Sequence, residues 1–125
     1  MGTILGLGND ILDIARIRES VNKHGSHFLN KLFSQAEQQY CTKHQDPVPH
    51  IAGRFAAKEA IAKAIGTGFG EHVSWLDIEI LNDSHGKPIV HLSESLKQKL
   101  RSFHFMISIS HCKSYASAVA IWIDL

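Results

Sequence analysis

A chain of 125 residues with 13 Lys and Arg against 12 Asp and Glu has a formal net charge of +1, which leaves no bulk field to hold a nucleic acid by its phosphates. That length suits one domain over residues 1–125, with a real core but a cramped substrate pocket within one copy, a shortage that oligomerisation would relieve. No apolar run approaches the ~18 residues of a membrane span, and Cys41 and Cys112 lie far apart, without metal-type spacing or a signal peptide, which points to reduced thiols in a cytoplasmic protein.

Along the chain, Thr3-Ile4-Leu5-Gly6-Leu7-Gly8 predicts a short strand. Asp10 then stands where an N-cap belongs, before a helix bearing Ile11, Ile14, Ile17 and Val21, and Asp13 completes a capping-box-like start. The same helix carries Arg16, Arg18, Lys23 and His24 against Asp13 and Glu19. That is either a solvated face or a dock for an acidic partner. Ser34 with Glu37 repeats the capping signature for a second helix through about Lys43, and Asp46-Pro47-Val48-Pro49 breaks the chain at the entry of a long helix.

The long helix is the most informative stretch. At about 100° per residue, Ile51, Phe55, Ile61 and Ile65 share one arc, and Arg54 and Lys58 fall inside it. Glu59 and Lys63 make a second stripe, while Ala56, Ala57, Ala60 and Ala64 leave the remaining side thin enough for another backbone to approach. One reading is bland: Glu59 and Lys63 form an i, i+4 pair worth about 0.2–0.5 kcal/mol, and Arg54 and Lys58 snorkel past the apolar edge. The other is that these charges meet an anion and a metal, which Gly66-Thr67-Gly68-Phe69-Gly70 favours, since glycines let backbone amides approach a ligand.

Next the period changes. Leu76, Ile78 and Ile80 alternate with Asp77 and Glu79, and the turn Asn82-Asp83-Ser84-His85-Gly86-Lys87 leads into Pro88-Ile89-Val90-His91-Leu92, a hairpin. Ser93 caps a further helix with Leu96, Leu100 and Phe103 inward. Residues 105–110 and 115–123 form a second pair of strands, of which the last is apolar on both faces, as burial by a helix on one side and a subunit on the other would require. Helices and antiparallel hairpins in this order make an α+β fold.

Asp10 and Glu59 are the candidate metal pair, since magnesium usually takes one or two protein carboxylates and completes its shell with water and phosphate oxygens. Helix capping by Asp10 does not exclude that role. The 9 histidines show no HExxH spacing, and Cys41 with His44 lacks the second pair a zinc site needs. Ser108 and Ser110 lie on one strand face and His111 at the turn; hydroxyl, imidazole and the Lys113 ammonium there suit a phosphate or a hydrolase, although no Gly-x-Ser-x-Gly elbow is present.

Gly6-Leu7-Gly8-Asn9-Asp10-Ile11, Ala52-Gly53-Arg54-Phe55-Ala56-Ala57-Lys58-Glu59-Ala60 with Lys63 and Gly66-Thr67-Gly68, Asp77-Ile78-Glu79-Ile80 with Asn82-Asp83 and Gly86-Lys87-Pro88, and Ser108-Ile109-Ser110-His111 together resemble the short form of the 4′-phosphopantetheinyl transferases, the holo-acyl-carrier-protein synthases. The resemblance covers essentially the whole chain. It implies that family's fold, antiparallel hairpins packed on a long central helix. It also implies transfer of the phosphopantetheine arm of coenzyme A to a serine of apo-acyl carrier protein, in support of fatty acid biosynthesis, with release of adenosine 3′,5′-bisphosphate.

Carried over by motif, Asp10 and Glu59 hold magnesium and Lys63 neutralises developing charge. Arg54, Ser110 and His111 grip coenzyme A phosphates, and Gly66, Thr67 and Gly68 line the nucleotide. Arg16, with Lys23 less specifically, docks the acidic carrier protein. The resemblance also implies a homotrimer with active sites between subunits, and leaves Glu59 or a metal-bound water as the base for the acceptor serine. Cys112 replaces a Thr or Ser common in relatives. A non-catalytic coenzyme A or carrier-protein binding module is the alternative, and a magnesium-dependent phosphohydrolase a second rival, but neither accounts for Asp10, Glu59 and Lys63 together with the basic first helix.

Overall fold

A computed structural model describes residues 2–125. Its frame is a sheet of three antiparallel strands, β1 (Thr3–Asp13), β5 (Tyr115–Asp124) and β4 (His104–His111), with β5 in the middle. The long helix α4 (Val48–Ile65) lies across one face of it. Between β1 and α4 come α1 (Ile14–His24), α2 (Ser26–Leu32) and α3 (Gln35–Thr42); after α4 come the hairpin β2 (Ile78–Asn82) and β3 (Pro88–Leu92) and the short α5 (Glu94–Lys99). Among the described residues, no helix is long and apolar enough to cross a membrane.

The thin side of α4 takes the sheet, as its alanines require. Ala56, Ala57, Ala60 and Ala64 are buried against Ala118 and Ala120 of β5. At Gly6 and Gly8 the approach is closer still: a Cβ on Gly6 would stand 1.9 Å from the Ala64 carbonyl oxygen, and one on Gly8 1.9 Å from that of Ala60. Only glycine leaves room for the helix backbone there.

The bulky arc of α4 divides between two cores: Ile61 and Ile65 join the alanines against the sheet, while Ile51 and Phe55 meet a second core with Ile14, Ile17, Phe33 and Cys41, and Lys58 is fully buried. Its ammonium donates to Glu37 Oε1 at 2.8 Å and to the carbonyls of Leu32 and Trp75 at 2.7 and 3.2 Å. Both partners of this ion pair have no exposed side-chain surface. Lys58 therefore does not snorkel and meets no ligand. Glu37 joins three elements, because beyond its capping box with Ser34 it accepts the Ile80 amide at 2.8 Å.

Four expectations need correction. Asp10 is not an N-cap: β1 stays paired with β5 through Asp13↔Tyr115, and the Asp13 carboxylate caps α1 by accepting the Ala15 amide at 3.0 Å. Ile11 thereby stands on the outer face of the sheet, 67% exposed, instead of on a helix. The helix α2 is an addition, set off by Gly25 at φ 54°. Finally, α5 stops at Lys99, so Leu100 caps it and Phe103 lies exposed beyond it.

The outer face of the sheet is apolar and open. The register aligns Leu7, Ile121 and Met106 across the three strands, and Ile4, Leu7, Ile11, Met106 and Val119 are each 42–68% exposed.

Candidate active site

Two groups of polar side chains sit on opposite sides of α4. Arg54 and Lys63 are nine residues apart, which on an ideal helix is about 13 Å along the axis and half a turn around it. In the first group Lys63 leaves its helical neighbour Glu59 and donates to Asp10 Oδ1 at 3.0 Å and to the Asn9 carbonyl at 2.9 Å. Burial, and after it the negative charge of Asp10, push the Glu59 carboxyl above its ordinary range, with Lys63 opposing. Asp10 reaches Glu59 because Gly8, two residues earlier, lets β1 lie against the helix backbone.

The donor set suits magnesium. Two carboxylates from separate elements repel one another, a cation would relieve that repulsion, and a hard cation completes its shell with water and phosphate oxygens. Among the described residues no group of three or more His, Cys, Asp or Glu is placed to hold a metal ion.

The glycine run follows directly. Gly66 ends α4 in the left-handed conformation at φ 99°, and the amides of Gly66 and Gly68 both return to the Ala62 carbonyl, at 3.1 and 3.3 Å. Those two amides close the helix and are not free anion donors. What remains for a ligand is an open surface, since a Cβ on Gly66, Gly68 or Gly70 would meet nothing within 4 Å.

The second group surrounds a cavity of about 220 Å³ walled by Tyr40, His50, Arg54, Asn82, Ile109 and His111. Arg54, 4% exposed, donates from Nε to the Ile80 carbonyl at 3.1 Å and from Nη2 to Asn82 Oδ1, and its guanidinium lies over the Tyr40 ring at 4.0 Å. A cation clamped this way keeps its charge aimed at one place. His111 enters from β4 beside Ile109.

Strand alternation puts Ser108 and Ser110 on the other face, with the exposed apolar residues, so Ser110 does not share this cavity with His111. Cys112 is an exposed free thiol on the turn, its amide bonded to the Tyr115 carbonyl at 2.9 Å. On α1, Arg18 is engaged by Asp46 at 2.7 Å, whereas Arg16 and Lys23 are exposed and have no ion-pair partner among the described residues. Sequence reasoning passed over Tyr40 and His50 and read Asn82 within a turn and a motif without giving it a role at the site; the local signal for His50 was its place one helical turn before Arg54.

The comparisons agree in kind. The 4′-phosphopantetheinyl transferase superfamily model matches residues 6–120. A holo-[acyl-carrier-protein] synthase of Protochlamydia amoebophila is 54% identical over 94% of this chain and 97% of its own length, and one of Chlamydia pneumoniae is 51% identical over 94% and 96%. Among solved structures, the holo-[acyl-carrier-protein] synthase of Helicobacter pylori in complex with coenzyme A superposes with a TM-score of 0.85 at 36% identity, covering 91% of this chain and 96% of that one. That of Bacillus anthracis in complex with CoA (3′,5′-ADP) has a TM-score of 0.81 at 38% identity, covering 94% and 95%. A match of this extent, in sequence and in fold, places the chain in the 4′-phosphopantetheinyl transferase superfamily.

Proposed function

We propose that the chain transfers the 4′-phosphopantetheine arm of coenzyme A to a serine hydroxyl of apo-acyl carrier protein. The serine oxygen attacks the pantetheine-bearing phosphorus, the bond from that phosphorus to the bridging oxygen breaks, and adenosine 3′,5′-bisphosphate leaves. The observation that carries this reading is the convergence of Asp10, Glu59 and Lys63 at the contact of β1 with α4. Phosphoryl transfer asks the protein mainly to position groups and stabilise charge, so no nucleophile of its own is needed. The serine proton passes to Glu59 or to a water molecule beside it. Lys63 is placed to meet the charge developing on the leaving phosphate.

Magnesium held by Asp10 and Glu59 would supply neutralisation of the pyrophosphate charge. Arg54 and His111 hold the nucleotide phosphates, the surface at Gly66, Thr67 and Gly68 lines the nucleotide, and Arg16 with Lys23 docks the acidic carrier. We infer that the protein works in the cytoplasm as a homotrimer with its sites between subunits. Two features support the assembly: the apolar outer sheet face, and the half-turn between Arg54 and Lys63, which keeps one chain's two groups from facing a common ligand.

Incubation with coenzyme A, magnesium and an apo-acyl carrier protein, followed by mass spectrometry of the carrier, tests the reading. One added phosphopantetheine arm is expected. Tight binding of coenzyme A without any transfer would instead identify a binding module.

A further inference from the structure

Two histidines with no part in the reaction as read above stand beside the Arg54 cavity. The His44 and His50 rings stack at a centroid distance of 3.5 Å and an angle of 19°, His111 meets His50 edge-on at 5.4 Å, and Tyr40 closes the cluster 5.1 Å from His44. The His44 Nδ1 lies 3.3 Å from the Cys41 carbonyl, so that nitrogen carries the proton and the ring is held in place. Three imidazoles could suggest a metal, but face-to-face stacking turns the ring nitrogens of His44 and His50 away from a common point, and the neighbouring guanidinium repels cations. Charge and shape favour an anion.

We propose that His44 and His50 extend the Arg54–His111 cavity into a proton-coupled grip for a phosphomonoester, such as the 3′-phosphate of coenzyme A: as the dianion enters, the stacked pair takes up a proton. The proposal rests on coenzyme A being the donor. The physical basis is the set of charges around His50. From α4 it faces Arg54, from α3 Tyr40, from the turn after α3 His44, and from β4 His111, while the hairpin offers the uncharged Asn82, Gly86 and Pro88. The one nearby acid, Asp46, is held by Arg18.

In the free protein, burial first and then His44, His111 and Arg54 hold the His50 imidazole below its ordinary range, against Asp46. A dianion reverses the sign of that local field. Because two stacked imidazolium ions would repel strongly at 3.5 Å, the pair gains one proton, not two.

Calorimetry of coenzyme A binding near pH 7, repeated in buffers of different ionisation enthalpy, reads the uptake. Uptake approaching one proton per site is expected, with less for dephospho-coenzyme A, which lacks the 3′-phosphate. A phosphomonoester has its second pKa at about 6 and can only release a proton on binding as a dianion, so uptake must come from the protein. Affinity for coenzyme A should fall by roughly tenfold or more from pH 6 to pH 8, since full linkage of one proton gives tenfold per pH unit.

His50→Phe keeps a ring in the stack; it should abolish the uptake and flatten the profile. His44→Phe should reduce both and is the deciding variant if His50→Phe does not fold, while His27→Phe, on exposed α2, should change neither. Unaltered uptake in folded His50→Phe or His44→Phe overturns the proposal and leaves the transferase reading standing. Failure of the unaltered protein to bind coenzyme A at any pH would overturn the transferase reading itself.

Discussion

Glu59 carries opposite obligations to stability and to activity. Its carboxyl is raised by burial and by Asp10, so the folded state binds a proton that the unfolded state has already released. The sign follows: the group's contribution is fully present below its unfolded pKa and is lost as pH rises through the higher folded one. Glu59→Gln should therefore melt at a higher temperature than the parent at pH 7 without magnesium, and the gap should close near pH 4. Magnesium should raise the melting temperature of the parent and not of the variant, and turnover of Glu59→Gln should fall by orders of magnitude. A variant that melts lower at pH 7, or turns over near normally at saturating magnesium, would contradict the assignment. Lys58 is the contrasting case. Lys58→Met strips Glu37 of its counter-charge in a fully buried place, and urea titration should show a loss of about 3–5 kcal/mol. Sequence period located Lys58 inside the apolar arc, but its partner lies 21 residues away and read locally as no more than a capping residue. Pairing across elements has no periodicity to betray it.

At the scale of elements, the contact that brings Asp10 beside Glu59 is backbone against backbone. Gly8→Ala would force a methyl to within 1.9 Å of the Ala60 carbonyl oxygen, a clash no side-chain rotation relieves. Overpacking of this kind costs about 1–3 kcal/mol or more, and β1 must shift off α4 to relieve it, carrying Asp10 with it. The expected result is a lowered urea midpoint together with a weaker magnesium response, whereas Gly86→Ala on the hairpin turn, at φ 85° but in open space, should cost stability without changing any magnesium response. Equal loss of magnesium response in both would mean that Gly8 acts through global stability alone. The alanine stripe made this approach legible, yet the end of β1 was misjudged for a physical reason. Ile11 falls by coincidence in helical register with Ile14, Ile17 and Val21 of α1, while the ladder to β5, which sets the strand's length, depends on residues over a hundred positions away. The hairpin and the two later capping serines were plain because turn and cap chemistry is local.

For the whole molecule, the half-turn between the two groups on α4 means that a site within one chain and a site shared between chains make different demands on mixtures. Suppose Asp10, Glu59 and Lys63 of one subunit work with Arg54 and His111 of its neighbour. A trimer that contains both Asp10→Ala and His111→Ala chains can then assemble a site from two unaltered halves. Each single variant should be nearly inactive alone. Co-expression, or joint unfolding and refolding, should restore activity, because with random assortment each site draws both good halves in roughly a quarter of cases, the statistical value for a closed heterologous ring. The apolar face gives the experiment its control: Leu7→Glu, at a position 67% exposed in the single chain, should leave the chain folded by circular dichroism yet lower its mass in sedimentation to that of a monomer, abolishing both activity and complementation. Recovery toward a quarter supports the shared site. No recovery in mixed trimers confirmed by mass would place the two groups at separate tasks on one chain, and an active Leu7→Glu monomer would end the case for a site between subunits.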